Sequence, residues 1–376
     1  MNSEERHKAR YLRRKAKRDE KKAAAMREYD NFDKVFTFDN LWKAYRKCVC
    51  GVGWKASTQI YRNRPITNIA RVLNALRSGT YKSKGFYAFT VIERGKTRHI
   101  KSVHISERVV QRCLCDNSLI PAFIATLIYD NGACMKGKGI DFAKDRVNCH
   151  LHRYYRQNKT NEGYALCLDF SSYFDRVLHE KLREIITRQY TDERIIKLYM
   201  HFVDMFGEIG IGLGSQISQI SAIRYPSELD HTIKEKLRVR FYGRYMDDSY
   251  LVHKDKAYLW YCKSVIREIC DKYGIVLNDR KTRIYKLSKG FAFLKLRFVL
   301  TDKGEVLRIP DKEGSVRARR KIKAFIRWLQ TGKMVLNDAT CSVNAHLAHY
   351  KRSNARRTER SIKRYFQKAL KQIGEQ

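Results

Sequence analysis

From Phe36 onward, apolar positions follow two different periods. Leu41, Trp42, Ala44 and Tyr45 recur at helical spacing, and residues 66–76 repeat the pattern, which predicts two helices. Residues 87–92 and 99–103 favour strand and flank Glu93, Arg94, Gly95, Lys96, Thr97 and Arg98, so they predict a β-hairpin with a basic tip. Helices are expected over 106–115 and 142–157, with a glycine- and lysine-rich loop over 132–139 between them. The apolar run Ala165, Leu166, Cys167, Leu168 ends at Asp169, the pattern of a buried strand that delivers a carboxylate at its end. A two-turn helix over 179–186 follows. Glycines 207, 210, 212 and 214 mark a turn before a single long helix over 218–237, which the pattern carries through Pro226. In 239–252, aromatic and β-branched residues lie on both sides of Met246, Asp247 and Asp248, predicting a hairpin with two carboxylates at its tip. Nothing repeats at a fixed period.

Composition narrows the partner. The 376 residues are 43% hydrophobic and 12% aromatic with only 4 Pro, so most of the chain is expected to fold. Lys and Arg number 78 against 39 acids, 78 − 39 = +39, a self-repelling excess that calls for a polyanion, with nucleic acid the leading candidate. Residues 1–28 concentrate eleven Lys or Arg, among them Arg13, Arg14 and Lys15, with neither Gly nor Pro. That stretch reads as a polar, helix-prone arm without an apolar stripe wide enough to dock, mobile until it meets a phosphate backbone; the alternative is a solvated helix that only aids solubility. The 10 Cys show no zinc-finger spacing, and with no secretory leader evident a reducing cytoplasm, in a bacterial host or phage-infected cell, is the expected location. No window reaches the 18 apolar residues of a membrane span, so no membrane partner is expected.

Adjacent aspartates among Phe241, Tyr242, Tyr245, Tyr250 and Leu251 are expensive unless a cation neutralises them. An exposed Asp-Asp turn is the commoner fate of such a pair. Asp169 at the end of its own strand shifts the balance, because three carboxylates on adjacent strand ends can hold two Mg²⁺ in the geometry of in-line phosphoryl transfer. Asp169, Phe170, Ser171, Ser172, Tyr173, Phe174, Asp175 resembles motif A of reverse transcriptases, and Tyr245, Met246, Asp247, Asp248 resembles their YMDD box. Arg98 with Glu107, Arg108, Val109, Val110 and Gln111 resembles the fingers motifs of bacterial reverse transcriptases; 129–139 resembles the next fingers block. Lys281 within Leu277, Asn278, Asp279, Arg280, Lys281, Thr282 resembles motif D, and Phe293, Leu294 the start of the primer grip.

The resemblance implies roles. Asp169, Asp247, Asp248 and the carbonyl of Phe170 would bind two Mg²⁺, with Mn²⁺ as a substitute. Lys281 would be a general acid for pyrophosphate departure. Phe174 would exclude a 2′-hydroxyl, although an aromatic there could equally be ordinary core. Arg98 and Arg108 would grip triphosphate and template, with Tyr245 and Met246 beside the substrate. The implied fold class is α+β: a right-hand polymerase with a basic arm (1–35), fingers (36–160), a palm of antiparallel sheet and helices (161–300) and a basic helical thumb (301–376).

Leu213, Gly214, Ser215, Gln216, Ile217, Ser218, Gln219 fits the aliphatic-Gly-x-x-x-Ser-Gln motif B that resembles diversity-generating retroelement enzymes, where group II intron enzymes read Gln-Gly-x-x-x-Ser-Pro. In the enzymes it resembles, this loop lies against the nascent base pair and is linked to infidelity opposite template adenine. Defence-associated bacterial reverse transcriptases share parts of the motif, so antiviral defence is the alternative role, and an inactive RNA-binding protein on the same fold is the alternative of another class. Lys295 stands where the primer grip would carry glycine. In the thumb, Arg317, Arg319, Arg320 and Lys321 would face a duplex while Val316, Ile322, Phe325, Ile326 and Leu329 face a core. The expected partners are a structured non-coding RNA template, dNTPs and the cDNA product, together with a basic accessory protein or a second copy of the chain.

Overall fold

A computed structural model describes residues 3–93, 95–351 and 353–374; Arg94 of the hairpin tip and the side chains of Arg18, Lys22 and Lys96 lie outside the described residues. The chain divides into two compact units. One comprises Met1–Tyr129, Ser171–His231 and Glu268–Val276; the other comprises Asp130–Phe170, Thr232–Arg267 and Leu277–Gln376.

The second unit contains an antiparallel sheet in the order Phe241–Tyr245, Asp248–His253, Tyr164–Leu168, Arg283–Lys286. Ala165, Leu166 and Leu168 are buried, which is why this strand reads as a continuous apolar run rather than an alternation. Helix Ile140–Asn158 covers one face. Its Ala143, Val147, Leu151 and Tyr154, spaced to share a side, pack with Ala165, Phe241, Tyr250 and Val252. A second antiparallel sheet, Phe291–Phe293, Leu296–Leu300 and Val306–Pro310, extends that core through Phe291, Phe293, Phe298 and Leu300. Its first hairpin turns at Leu294 and Lys295, both at positive φ (47° and 66°), the shape of the tight turns that glycine favours. The lysine that departs from the primer-grip pattern therefore sits in the backbone conformation where glycine carries no strain.

Helices Lys312–Gln330, Leu336–Lys351 and Arg356–Gly374 close the unit around a separate core. Ile322 and Phe325 are buried in it and Ile326 and Leu329 pack against it, as the periodicity predicts. Val316 is instead 49% exposed, and Ala318 takes the inner position. The apolar stripe begins at Ala318, two residues later than the sequence suggests.

The first unit is mostly helical, with one hairpin, Phe86–Glu93 and Lys96–Val103, that matches expectation. Helix Ser3–Tyr29 forms the basic arm and is exposed along most of its length. At its base Ser118 Oγ donates to the Tyr29 carbonyl (2.8 Å), and the Asp30 carboxylate accepts from the backbone of Thr191 and Asp192 (2.7 and 2.9 Å). The long helix expected over 218–237 is not formed. The chain makes Gln216–Arg224, breaks, and resumes as Ser227–His231 with a widened turn at Thr232–Lys236. Pro226 has no N–H to offer the carbonyl four residues back, and its ring crowds that group. The carbonyl in question, Ala222 O, accepts from Tyr173 Oη at 2.6 Å instead.

Candidate active site

In the second unit, sheet register assembles the carboxylates. Leu168 pairs with Ser249, and Tyr245 pairs with Asp248 across the Met246–Asp247 turn, so Asp169 and Asp248 emerge from neighbouring strands at one end of the sheet. Asp169 is 7% exposed. Its Oδ1 accepts from Lys281 Nζ at 2.8 Å, its Oδ2 from Asn278 Nδ2 at 3.1 Å, and its backbone carbonyl from Asn278 N at 2.8 Å. Lys281 N and Thr282 N both donate back to Asn278 O, closing a turn that presents the lysine to the aspartate. Burial, then the neighbouring charges of Asp247 and Asp169, push the Asp248 carboxyl up to about 7. The bond to Asp169 holds the Lys281 ammonium above its ordinary range.

Beneath the turn lies Arg244, 1% exposed. Its Nη1 donates to the Met246 carbonyl at 3.0 Å, and its backbone bonds with Asp130 O and Gly132 N, so the guanidinium supports a turn whose Met246 has φ 55°. Phe170, next to Asp169, is buried. Tyr245, Met246, Asp247 and Asp248 are half-buried. Among the described residues no three His, Cys, Asp or Glu side chains already stand together as a metal cage. The donor chemistry nevertheless fits a hard divalent cation: a half-buried carboxyl, Asp248, pushed up by burial and by the charges of Asp247 and Asp169, with the Lys281 ammonium bonded to Asp169.

In the first unit, Phe174 is half-buried rather than core, against the Tyr173 ring (5.8 Å), and its carbonyl accepts from Ile211 N at 2.8 Å. Leu213 O accepts from Lys101 N at 2.9 Å. Gly214 has φ 114°, and a methyl there would stand 3.1 Å from both Ile100 Cγ2 and Lys101 O, so the close approach of this loop to the hairpin requires glycine. Gly214 and Gln219 line a cleft of about 300 Å³ with Lys47, Arg108, Gln111 and Arg112. Arg98, exposed on the hairpin, pairs with Glu93 at 3.7 Å.

Sequence reasoning did not single out Asn278, Arg244, Ser215 or His179. Ser215 Oγ donates to Gln111 Oε1 (2.9 Å). His179 bridges Asp204 Oδ1 (3.0 Å) and the Gly210 carbonyl (2.7 Å), fixing the glycine segment. Arg244 alone left a signal, as a charge inside an otherwise apolar strand.

Arg13, Arg14 and Lys15 are exposed on the arm. Deleting residues 1–28 should lower the log–log salt slope of RNA binding by about 3.5, if about five of its eleven cations meet single-strand phosphates. Equal slopes for the full-length and shortened proteins would make the arm a mere solvated tail. On helix Lys312–Gln330, Arg317, Arg319, Arg320 and Lys321 are all exposed; Arg317 pairs with Glu313 (2.6 Å) and Arg319 donates to Ser361 (2.9 Å).

A family model described as reverse transcriptase (RNA-dependent DNA polymerase) matches residues 82–298. No curated protein matches the chain in sequence. Among solved structures, the telomerase of Candida tropicalis truncated from its C-terminal domain is similar over 60% of this chain and 55% of that one, at 16% identity and TM-score 0.47. The telomerase of Candida albicans, in complex with a TWJ fragment of telomeric RNA, is similar over 77% and 58%, at 12% identity and TM-score 0.48. The chain thus spans a little over half the length of these telomerases. Among the described residues, no helix is long and apolar enough to cross a membrane.

Proposed function

Because the chain belongs to the reverse transcriptase (RNA-dependent DNA polymerase) family, whose model spans more than half of it, we propose that it is an RNA-directed DNA polymerase with its catalytic centre at Asp169, Asp247 and Asp248. The observation that carries this reading is the convergence of Asp169 and Asp248 at one sheet end, with Lys281 bonded to the former. Two Mg²⁺, replaceable by Mn²⁺, held by these carboxylates and the Phe170 carbonyl, would supply activation of the primer hydroxyl and charge neutralisation at the leaving pyrophosphate. Asn278 and Lys281 orient Asp169. The Lys281 ammonium, kept protonated by that contact, is the proton donor for departing pyrophosphate. Arg98 and Arg108 serve the triphosphate and template, Tyr245 and Met246 the nascent end, and Phe174 the sugar. In this reading 36–160 act as fingers, 161–300 as palm, 301–376 as thumb, and the arm 1–35 as an RNA contact. Incorporation of labelled dNTPs on an annealed RNA template is the direct test; no incorporation would favour an inert RNA-binding protein.

For the biological role, the motif at Leu213, Gly214 and Gln219 supports copying of a dedicated non-coding RNA in a diversity-generating retroelement. An aliphatic side chain cannot offer the hydrogen bonds glutamine provides, so the nascent pair is held less strictly. Misincorporation is expected chiefly opposite template adenine, and Leu213→Gln should raise fidelity there more than elsewhere. Sequencing cDNA from both proteins reads this out. Uniform, low error at all four bases would move the role to antiviral defence by faithful copying.

A further inference from the structure

The second unit has a basic cleft that the proposed chemistry does not use. On helix Ile140–Asn158, Arg146, His150, Arg153 and Arg156 fall on one side, and with Arg240, just ahead of strand Phe241–Tyr245, they line a space of about 630 Å³. Its floor is fixed. The Asp130 carboxylate accepts from Arg146 Nε at 2.5 Å and Lys234 Nζ at 2.9 Å and lies 3.5 Å from His150 Nε2, whose Nδ1 meets Tyr250 Oη at 2.9 Å. Burial alone would raise the Asp130 pKa, but its bonds to His150 and Lys234 hold it well below the usual carboxylate range. That carboxylate, the one acid lining the cleft among the described residues, is therefore already saturated and leaves the outer guanidiniums uncompensated.

Arg153 and Arg156 are exposed and form no ion pair among the described residues, and the Arg240 guanidinium donates only to Gln157 Oε1, at 3.3 Å. Three unneutralised guanidiniums converging on a concave surface repel one another, and the arrangement is stabilised by a ligand that brings several negative charges at once. The site lies at the Phe241 end of its strand, opposite the Tyr245 end that leads into the carboxylate turn. We propose that this cleft grips the phosphodiester backbone of the RNA outside the stretch being copied. The proposal rests on the reading that the chain handles RNA.

The test is a variant of the full chain carrying Arg153→Ala, Arg156→Ala and Arg240→Ala, with RNA binding measured against salt. All three side chains are exposed, and a thermal melt confirms the fold. Loss of three single-strand phosphate contacts should lower the log–log salt slope by about 2. A control variant removes three cations that pair with acids on the first unit (Lys181→Ala, Arg188→Ala, Lys197→Ala) and should keep the slope. Unchanged slope and affinity in the cleft variant would overturn the proposal and leave an acidic protein segment as the occupant. Equal falls in both variants would overturn it too, as an effect of net charge. Primer extension by the unmodified protein on a short template is scored separately. Its failure would sink the polymerase reading while leaving the slope comparison valid.

Discussion

Asp169→Asn or Asp247→Asn is expected to reduce primer extension by about a thousandfold or more, with RNA affinity nearly unchanged. Asparagine keeps the size of aspartate and one of its acceptors but removes the anion, and transition-state charge stabilisation by a bound cation is worth several kcal/mol, each 1.36 kcal/mol being tenfold in rate. At position 169 the substitution also leaves Lys281 without its counter-ion, so the proposed proton donor loses its anchor. Affinity should persist because the candidate RNA contacts are exposed cations on helices Ser3–Tyr29, Lys312–Gln330 and Ile140–Asn158. Single-nucleotide incorporation and filter binding on the same template report the two effects. Near-normal extension by Asp247→Asn would show that the metals are not held there.

Phe174→Val should raise ribonucleotide relative to deoxynucleotide incorporation by about tenfold or more, since a hydrocarbon contact of this size discriminates on that scale. The ring is half-buried rather than packed in the core, and its backbone is fixed by Ile211. Trimming it therefore opens space at a position that stays in place. Competing rNTP and dNTP in one reaction gives the ratio directly; an unchanged ratio would assign Phe174 to packing alone.

The local parts of the site were readable from the chain because their signals are short-range. Asp169 closes an apolar run, and Asp247 and Asp248 interrupt an aromatic one, so period and position are enough to place both on strand ends. Asn278 reaches Asp169 across 109 residues, and the motif D resemblance around it points to Lys281 without indicating this bond. His179 likewise reaches the Gly210 carbonyl across 31 residues. Pro226 shows the opposite error: helical periodicity on both sides concealed a break that one missing N–H enforces. From sequence Val316 marks the start of the stripe, two residues too early, because Ala318 is small enough to read as neutral on an apolar stripe.

The hydroxyl that fills the gap left by Pro226 belongs to Tyr173, the residue immediately before Phe174. A helix defect and the proposed sugar screen are therefore structurally connected. Tyr173→Phe strands the buried Ala222 carbonyl at a cost of about 1–3 kcal/mol, and it frees the chain beside Phe174, so stability and sugar discrimination should fall together. Pro226→Ala restores an N–H that can reach the same carbonyl, which makes the two substitutions epistatic: harmful in Tyr173→Phe alone, partly rescued in the pair. A double-mutant cycle on thermal stability would measure that coupling, and strict additivity would show that the two positions are independent.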